Sequence, residues 1–155
     1  MNGRSGRRPP RRSSRAAWRL SASGRSSCTT ARTTPGAGAL AASLPEVLGE
    51  HRPRVGVIGV LEDKDAAGML GTLLPHFDQV VFTRPANPRA LSPATLATLA
   101  EKLGGPPAET AATAHAALAR ARELAGPAGA VVATGSIYPI ADLVREETDA
   151  RASTL

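Results

Sequence analysis

The chain has 155 residues, a length that fits one domain, and its hydrophobic content of 42% is ordinary for a globular protein. Its single cysteine, Cys28, excludes a disulfide framework and a thiolate metal cluster and fits a reducing compartment. No apolar run approaches the roughly 18 residues that a membrane span needs, so we expect a cytoplasmic protein without membrane contact.

The formal net charge of +6 averages two different regions. Residues 1–34 contain nine arginines and no acidic residue, which leaves a charge of −3 on the rest of the chain. This first segment is rich in Arg, Ser, Pro and Gly and lacks helical or strand periodicity, so we expect it to be disordered. The sequence therefore predicts a basic segment over 1–34, a globular domain over 35–147 and a polar tail over 148–155.

The first half of the globular domain predicts a helix, a strand and a second helix. The helix covers Gly38–Leu48, with an interruption at Pro45. Residues Arg54–Leu61 are almost continuously apolar and β-branched, which is typical of a strand covered on both faces. The second helix begins at Asp65 and ends near Pro75.

The second half continues the same alternation. Gln79–Thr83 is the second predicted strand, and Arg84–Arg89, with two prolines, is a loop. The next helix begins at Ser92-Pro93, with serine as N-cap and proline at the first helical position, and ends at Gly104-Gly105.

Three further elements complete the pattern. They are a helix over Glu109–Ala125, a strand over Ala130–Thr134 and a final helix that starts at Gly135-Ser136. Strands that alternate with helices predict an α/β fold with a mostly parallel, Rossmann-like sheet and helices on both faces.

Polar loops follow each predicted strand, at the end of the sheet where α/β proteins bind ligands. In Glu62–Asp65, Lys64 could bind an anion or a phosphate while Asp63 or Asp65 holds a ribose, a metal or the lysine itself. The alternative is that Asp65 only caps the helix and Lys64 pairs with a neighbour, and the spacing by itself favours this alternative.

The other two loops offer weaker signals. Ser136 lies at a predicted helix N-terminus, where its hydroxyl and free backbone N–H groups could attract a carboxylate or phosphate, or where it could act as an N-cap. Arg89 is either an exposed arginine after a rigid turn or a ligand for an anion. The three histidines are isolated, and no metal-binding residue is assigned.

Nucleotide-binding fingerprints are missing from the sequence. It contains no G-x-x-x-x-G-K-[ST] loop and no G-x-G-x-x-G after a strand. We therefore expect that the chain does not turn over a nucleotide on its own.

The stretches VGVIGVLEDKDAAGML, NPRAL and VVATGSIY, in this order, resemble the C-terminal domain of bifunctional folylpolyglutamate/dihydrofolate synthases, relatives of the Mur ligases. The resemblance covers roughly residues 35–146. It implies an ATP-dependent ligase that activates the carboxylate of dihydropteroate or folate as an acyl phosphate, which the amino group of L-glutamate then attacks.

The resemblance also implies where the ligands bind. An N-terminal P-loop domain would hold ATP and Mg²⁺, and the C-terminal domain would close over it. Lys64 and Asp65, with Asp63 and Arg89 beside them, would lie on the nucleotide or glutamate side. Ser136 resembles the serine with which related ligases hold the glutamate carboxylate.

Two motifs that this family carries upstream, P-G-R-L and D-G-A-H-N-P, are missing as written. If the reading frame is shifted so that each codon begins on the third base of the previous one, the DNA that encodes Cys28–Pro35 permits the sequence D-G-A-H-N-P. The DNA that encodes Ser13–Arg19 then permits V-P-G-R-L-A. Our hypothesis is that residues 1 to about 35 are an out-of-frame translation, so that the domain lacks its N-terminal strand and one sheet edge is open. Resequencing that finds no frame spelling D-G-A-H-N-P would refute it.

Other interpretations remain open at this point. The arginine-rich segment could bind nucleic acid through phosphate contacts, although it has no lysine and only one aromatic residue, Trp18. Its composition also resembles an organellar transit peptide. The domain itself could be a non-catalytic α/β module for nucleotide binding or regulation.

Overall fold

The computed structural model describes residues 19–22, 29–32 and 36–135. Within these ranges one sheet has the strand order β1-β2-β6-β3-β4-β5. Its strands are β1 Arg19–Ala22, β2 Thr29–Arg32, β3 Arg54–Gly59, β4 Gln79–Thr83, β5 Ala108–Ala111 and β6 Ala130–Gly135. The helices are α1 Ala37–Leu48, α2 Ala66–Leu73, α3 Pro93–Lys102 and α4 Ala114–Ala125, and a 3-10 turn, Leu74–His76, follows α2.

The sheet is mostly parallel, as the alternation of strands and helices predicts. Strands β2, β6, β3, β4 and β5 run parallel to their neighbours, and only β1 pairs with β2 in the antiparallel sense. None of the helices in the described part of the chain is long and apolar enough to cross a membrane.

Helices cover both faces of the sheet, because alternate side chains of each central strand enter different cores. In β3, Ile58 packs in the cluster beneath α1, α2 and α3, whereas Val55 and Val57 pack in the cluster beneath α4. The first cluster is built from larger side chains, among them Leu40, Leu44, Leu48, Leu70, Leu73, Phe82 and Leu96. The second is mainly alanine and valine.

The expected interruption of the first helix at Pro45 is wrong. Helix α1 runs through Pro45 to Leu48 without a break. Proline has no N–H to donate to the carbonyl four residues earlier. Leu40, Leu44 and Leu48 are fully buried against the sheet, and this packing outweighs the missing hydrogen bond.

The expected helix over Glu109–Ala125 is wrong in its first part. Residues Ala108–Ala111 form β5, which pairs in parallel with β4, and α4 begins only at Ala114, after the cap Thr113. Residues Ala108–Ala111 are a strand because they pair with β4, and the mostly exposed sequence AETA gives no sign of this pairing.

An exposed ion-pair cluster fixes β5 to α4. Arg120 donates from Nε to Glu109 Oε2 over 2.7 Å, from Nη2 to Glu109 Oε1 over 3.0 Å and from Nη1 to Glu123 Oε2 over 3.0 Å. The hydrogen bond from Arg120 lowers the pKa of the Glu109 carboxyl, and the same contact raises the pKa of Arg120.

The structure differs in part from the expectation that residues 1–34 are disordered. Strands β1 and β2 lie within residues 1–34, so these two stretches are not without secondary structure, and the remainder of the segment lies outside the described residues. The edge beside β6, expected to be open, carries β2. Pairing with an existing strand can order a short segment that has no periodic pattern of its own. The predicted final helix after Gly135 lies outside the described residues.

Candidate functional site

The loops after β3 and β4 meet at the carboxyl end of the sheet. Leu61 and Ala90 form an antiparallel bridge. The Glu62 amide donates to the Arg89 carbonyl over 2.8 Å, and the Leu91 amide donates to the Val60 carbonyl over 2.9 Å. The structure therefore joins the Glu62–Asp65 loop to the chain around Arg89 through backbone hydrogen bonds.

Asp65 is the N-cap of α2. Its Oδ1 accepts the Gly68 amide over 3.0 Å, which satisfies one of the free N–H groups of the first turn. A Cβ on residue 68 would collide with the Asp65 carboxylate, so the glycine leaves room for the cap. This arrangement corresponds to the simpler of the two interpretations of Asp65.

Asp63 and Arg89 form an ion pair at the rim of this region. Arg89 Nη2 lies 3.9 Å from Asp63 Oδ2, with the two side chains 65% and 45% exposed. A pair this long and this exposed contributes little to stability, but it turns the Arg89 guanidinium toward a carboxylate. Arg89 is therefore already paired within the chain.

Lys64 differs from its neighbours. Its amide donates to the Leu61 carbonyl over 3.1 Å and its carbonyl accepts the Ala66 amide over 2.9 Å, so the backbone is held on both sides. Within the described residues its ammonium group has no hydrogen-bond or ion-pair partner. The alternative in which Lys64 pairs with a neighbouring carboxylate is not the arrangement found.

Lys64 lines a cavity of about 600 Å³ at the carboxyl ends of β3 and β6. The cavity lies between the N-terminal ends of α1 and α2, and its lining combines small, apolar and hydroxyl-bearing residues: Gly36, Ala37, Lys64, Asp65, Gly68, Met69, Thr72, Leu73, Thr134 and Gly135. Cavities of this size, lined by both apolar and polar groups, are typical of small-molecule sites.

Two further groups in the cavity attract anions. Thr134, whose hydroxyl can donate a hydrogen bond, lines the cavity and is only 3% exposed. The N-cap of α1 is Gly36, which provides no side-chain acceptor for the first N–H groups of the helix. Free N–H groups at a helix N-terminus favour a carboxylate or a phosphate.

Gly135 fixes the end of β6 against β3. Its φ of +121° is rarely adopted by other residues, and a Cβ at this position would overlap the backbone of Gly59. Only glycine therefore lets the two strand ends approach this closely beside the cavity. The next residue, Ser136, lies outside the described residues, so its predicted role stays a prediction.

Some lining residues are absent from the sequence-based prediction. Gly68 and Thr72 come one turn apart on α2, after the cap Asp65, and Gly36 precedes α1. The spacing of Gly68 and Thr72 is a signal that they share one helix face. Their position in a cavity depends on how α2 packs against α1, which the sequence pattern does not give.

The arrangement suits the binding of an anionic small molecule. It combines around one space, among the residues that the structure describes, a lysine without a side-chain partner, the hydroxyl-bearing Thr134 and a helix N-terminus without a side-chain cap. Across residues 36–135 and the two N-terminal strands, no group of three or more His, Cys, Asp or Glu side chains is placed to hold a metal ion.

Residues 25–137 match the family described as Mur ligase, glutamate ligase domain. The chain belongs to this family. The match includes all four helices and the strands from β2 to β6, together with the cavity and the Asp63–Arg89 rim. The family resemblance inferred from the stretches VGVIGVLEDKDAAGML, NPRAL and VVATGSIY is thereby confirmed.

Named relatives point to folate enzymes. The chain is 45% identical over 76 residues to dihydrofolate synthase/folylpolyglutamate synthase of Mycobacterium tuberculosis, an alignment that covers 49% of the chain and 15% of that protein. It is 38% identical over 86 residues to a probable bifunctional folylpolyglutamate synthase/dihydropteroate synthase of Haloferax volcanii, which covers 56% of the chain and 10% of that protein.

A solved structure has the same fold. The folylpolyglutamate synthase of Mycobacterium tuberculosis, solved with ADP and AMPPCP, superposes with a TM-score of 0.67 at 35% identity. The superposition covers 74% of the chain and 28% of that enzyme. The chain therefore spans well under a third of the length of these relatives, at their Mur ligase C-terminal domain.

Proposed function

We propose that this chain is the glutamate- and ATP-side domain of an ATP-dependent ligase that adds L-glutamate to dihydropteroate or to folates. In this reaction the pteroate or folate carboxylate is activated as an acyl phosphate, and the amino group of L-glutamate displaces the phosphate to form an amide. The family membership and the folate enzymes among the relatives support this assignment.

The observation that carries the proposal is Lys64, which lines the cavity and whose ammonium group has no partner among the described residues. Two of the three carboxylates of the loop have a partner, since Asp65 caps α2 and Asp63 faces Arg89. The free ammonium group, the uncapped α1 and the Thr134 hydroxyl together fit a ligand with carboxylate or phosphate groups. L-Glutamate and ATP both have such groups.

Roles follow for the residues of this region. Lys64 binds a carboxylate of L-glutamate or a phosphate of the nucleotide. Asp63, Asp65 and Arg89 shape the loop that presents Lys64, since Asp65 caps α2 and Arg89 lies 3.9 Å from Asp63. By its resemblance to the serine of related ligases, Ser136 holds the glutamate carboxylate.

The proposed reaction needs a second domain. ATP and Mg²⁺ would be bound mainly by an N-terminal P-loop domain, which supplies the phosphate loop missing from this sequence. The metal would neutralise the charge that develops on the transferred phosphoryl group. On this proposal the chain does not form the amide until such a domain closes over the cavity.

A titration with L-glutamate tests the proposal. The chain contains two lysines, so Lys64→Ala has a matched control in Lys102→Ala, at the end of α3. Loss of a charge-assisted hydrogen bond costs about 1.5–3 kcal/mol, so Lys64→Ala should weaken binding at least tenfold in an NMR titration. Lys102→Ala should bind as the unmodified chain does.

Two results would count against the proposal. Equal affinities of the unmodified chain and Lys64→Ala would remove Lys64 from the site. Binding of ADP without any binding of L-glutamate would favour the alternative of a nucleotide-binding module with no ligase role.

A further inference from the structure

The loop between β4 and α3 folds back on itself at Asn87. The Asn87 side-chain oxygen, Oδ1, accepts the Arg89 amide over 2.9 Å. Its carbonyl accepts the Ala90 amide over 3.0 Å, and its own amide donates to the Pro85 carbonyl over 2.7 Å. An asparagine that bonds the backbone two residues further on forms an Asx turn, which sets the direction of the chain that follows.

This turn sends the next residues along the end of β3. The Arg89 carbonyl accepts the Glu62 amide over 2.8 Å, and the Leu91 amide donates to the Val60 carbonyl over 2.9 Å. Asn87 is half-buried, and the hydrogen bond that its carboxamide accepts comes from the Arg89 amide. It therefore acts on the Glu62 segment through the backbone of Arg89.

The Glu62 segment in turn carries Lys64. The Lys64 amide bonds the Leu61 carbonyl, and the following residue, Asp65, is fixed as the cap of α2. The turn that holds Lys64 is thus anchored by the cap on one side and by the backbone bonds to Arg89 and Leu91 on the other. Without the second anchor, Lys64 would have more backbone freedom to lose when it binds a ligand.

We propose that Asn87 is a positioning residue for the ligand-binding lysine: its Asx turn holds the 89–91 segment against the 60–62 segment and so orders the turn that presents Lys64. The proposal rests on the proposed function only in that Lys64 binds the ligand. It assigns no ligand contact to Asn87 itself.

Amide hydrogen exchange tests the structural part of this proposal. Asn87→Ala removes the Oδ1 acceptor, and exchange at the Glu62 amide should become about three- to tenfold faster, as expected for a lost hydrogen bond. Asn87→Asp keeps an oxygen acceptor and should restore slow exchange. Thr98→Ala is the matched control, because it removes an exposed side-chain bond to the Ala94 carbonyl on α3. This control should leave Glu62 unchanged.

L-Glutamate affinity tests the functional part. Asn87→Ala should weaken binding about threefold or more, Asn87→Asp should bind like the unmodified chain, and Lys64→Ala combined with Asn87→Ala should bind no more weakly than Lys64→Ala by itself. The full chain is used in each measurement.

The outcomes separate the two proposals. Unchanged Glu62 exchange in Asn87→Ala overturns the structural part. Faster exchange with unchanged affinity, in a chain where Lys64→Ala loses affinity, overturns the positioning role. If the unmodified chain binds no L-glutamate, the proposed function fails and the role of Asn87 in binding fails with it, while the exchange rate still shows whether Asn87 orders the loop.

Discussion

The two ends of the sheet use their charged residues differently. At the amino end, Asp78 accepts Arg52 Nη1 over 2.7 Å and the Arg54 amide over 2.7 Å, and the Arg54 guanidinium also donates to the Gly49 carbonyl. At the carboxyl end, Lys64 has no partner among the described residues and the Asp63–Arg89 pair is 3.9 Å apart.

The charged groups at the two ends of the sheet therefore have different roles, in stability at the amino end and in ligand binding at the carboxyl end. Charged groups at the amino end join β3 to β4 and to the chain before β3, and thereby stabilise the fold. At the carboxyl end, Lys64, Thr134 and the N-terminus of α1, which has no side-chain cap among the described residues, surround a cavity. In α/β folds ligands bind at this end, so groups that a ligand would satisfy lie where the topology places a site.

The largest expected effect on stability is at the amino end. Asp78→Ala removes two accepted hydrogen bonds, one of them from a charged group, and leaves the half-buried Arg54 amide without its acceptor. We expect the free energy of unfolding to fall by about 2 kcal/mol in urea denaturation.

The matched change at the carboxyl end is Asp63→Ala. Its one ion pair is long and exposed, so the free energy of unfolding should change by less than about 0.5 kcal/mol. Equal losses in the two variants would contradict the distinction between the two ends of the sheet.

A smaller effect is expected at two buried threonines near the carboxyl ends of β4 and β6. Thr83 is fully buried and its hydroxyl has no hydrogen-bond partner within the described part of the chain, whereas Thr134 lines the cavity. Thr83→Val replaces an unsatisfied hydroxyl with a methyl group and should raise the melting temperature, with a gain of about 1 kcal/mol.

Thr134→Val supplies the comparison. It should change stability less than Thr83→Val, since Thr134 is not among the buried side chains that lack a hydrogen-bond partner in the described part of the chain, but it should weaken binding of L-glutamate, because Thr134 lines the cavity. A loss of stability in Thr83→Val would show that its hydroxyl has a partner after all.

The smallest effect concerns pH and the Glu109–Arg120 pair. The hydrogen bond from Arg120 lowers the pKa of Glu109 below its ordinary value of 4.5. The stabilisation is therefore fully present above that value and is lost as the pH falls through the lowered pKa of the folded chain. Unfolding of the unmodified chain and of Glu109→Gln should differ at neutral pH and converge in acid. If the difference in the free energy of unfolding between the two chains grew as the pH fell, the result would contradict the stabilising role of the Glu109–Arg120 pair.

Much of the fold could be predicted where local signals and tertiary packing agree. Gln79–Thr83 is a buried strand with the predicted bounds, and Ser92 caps α3 through a bond from the Thr95 amide. The failures come where tertiary contacts override the pattern. Pro45 remains in α1 because its neighbours pack on the sheet, and β5 is a strand because β4 offers a partner.

Topology alone could place the candidate site but could not give its contacts. The rule that ligands bind at the carboxyl ends of parallel strands identifies the loops that carry Lys64 and Arg89. The contacts depend on the positions of the loop side chains to within a few ångströms. These positions decide which carboxylate caps α2, which one pairs with Arg89 and which cation has no partner among the described residues. The Asx turn at Asn87 sets part of that geometry, and its effect on the distant Glu62 amide is invisible in sequence spacing.

Modification of the two lysines tests the central claim most directly. Amine acetylation of the full chain can be followed separately at Lys64 and Lys102 by mass spectrometry, with and without L-glutamate. We predict that L-glutamate slows modification of Lys64 and leaves Lys102 unchanged, because only Lys64 lies in the cavity. Equal rates at Lys64 with and without L-glutamate, at a concentration that saturates binding, would contradict the account.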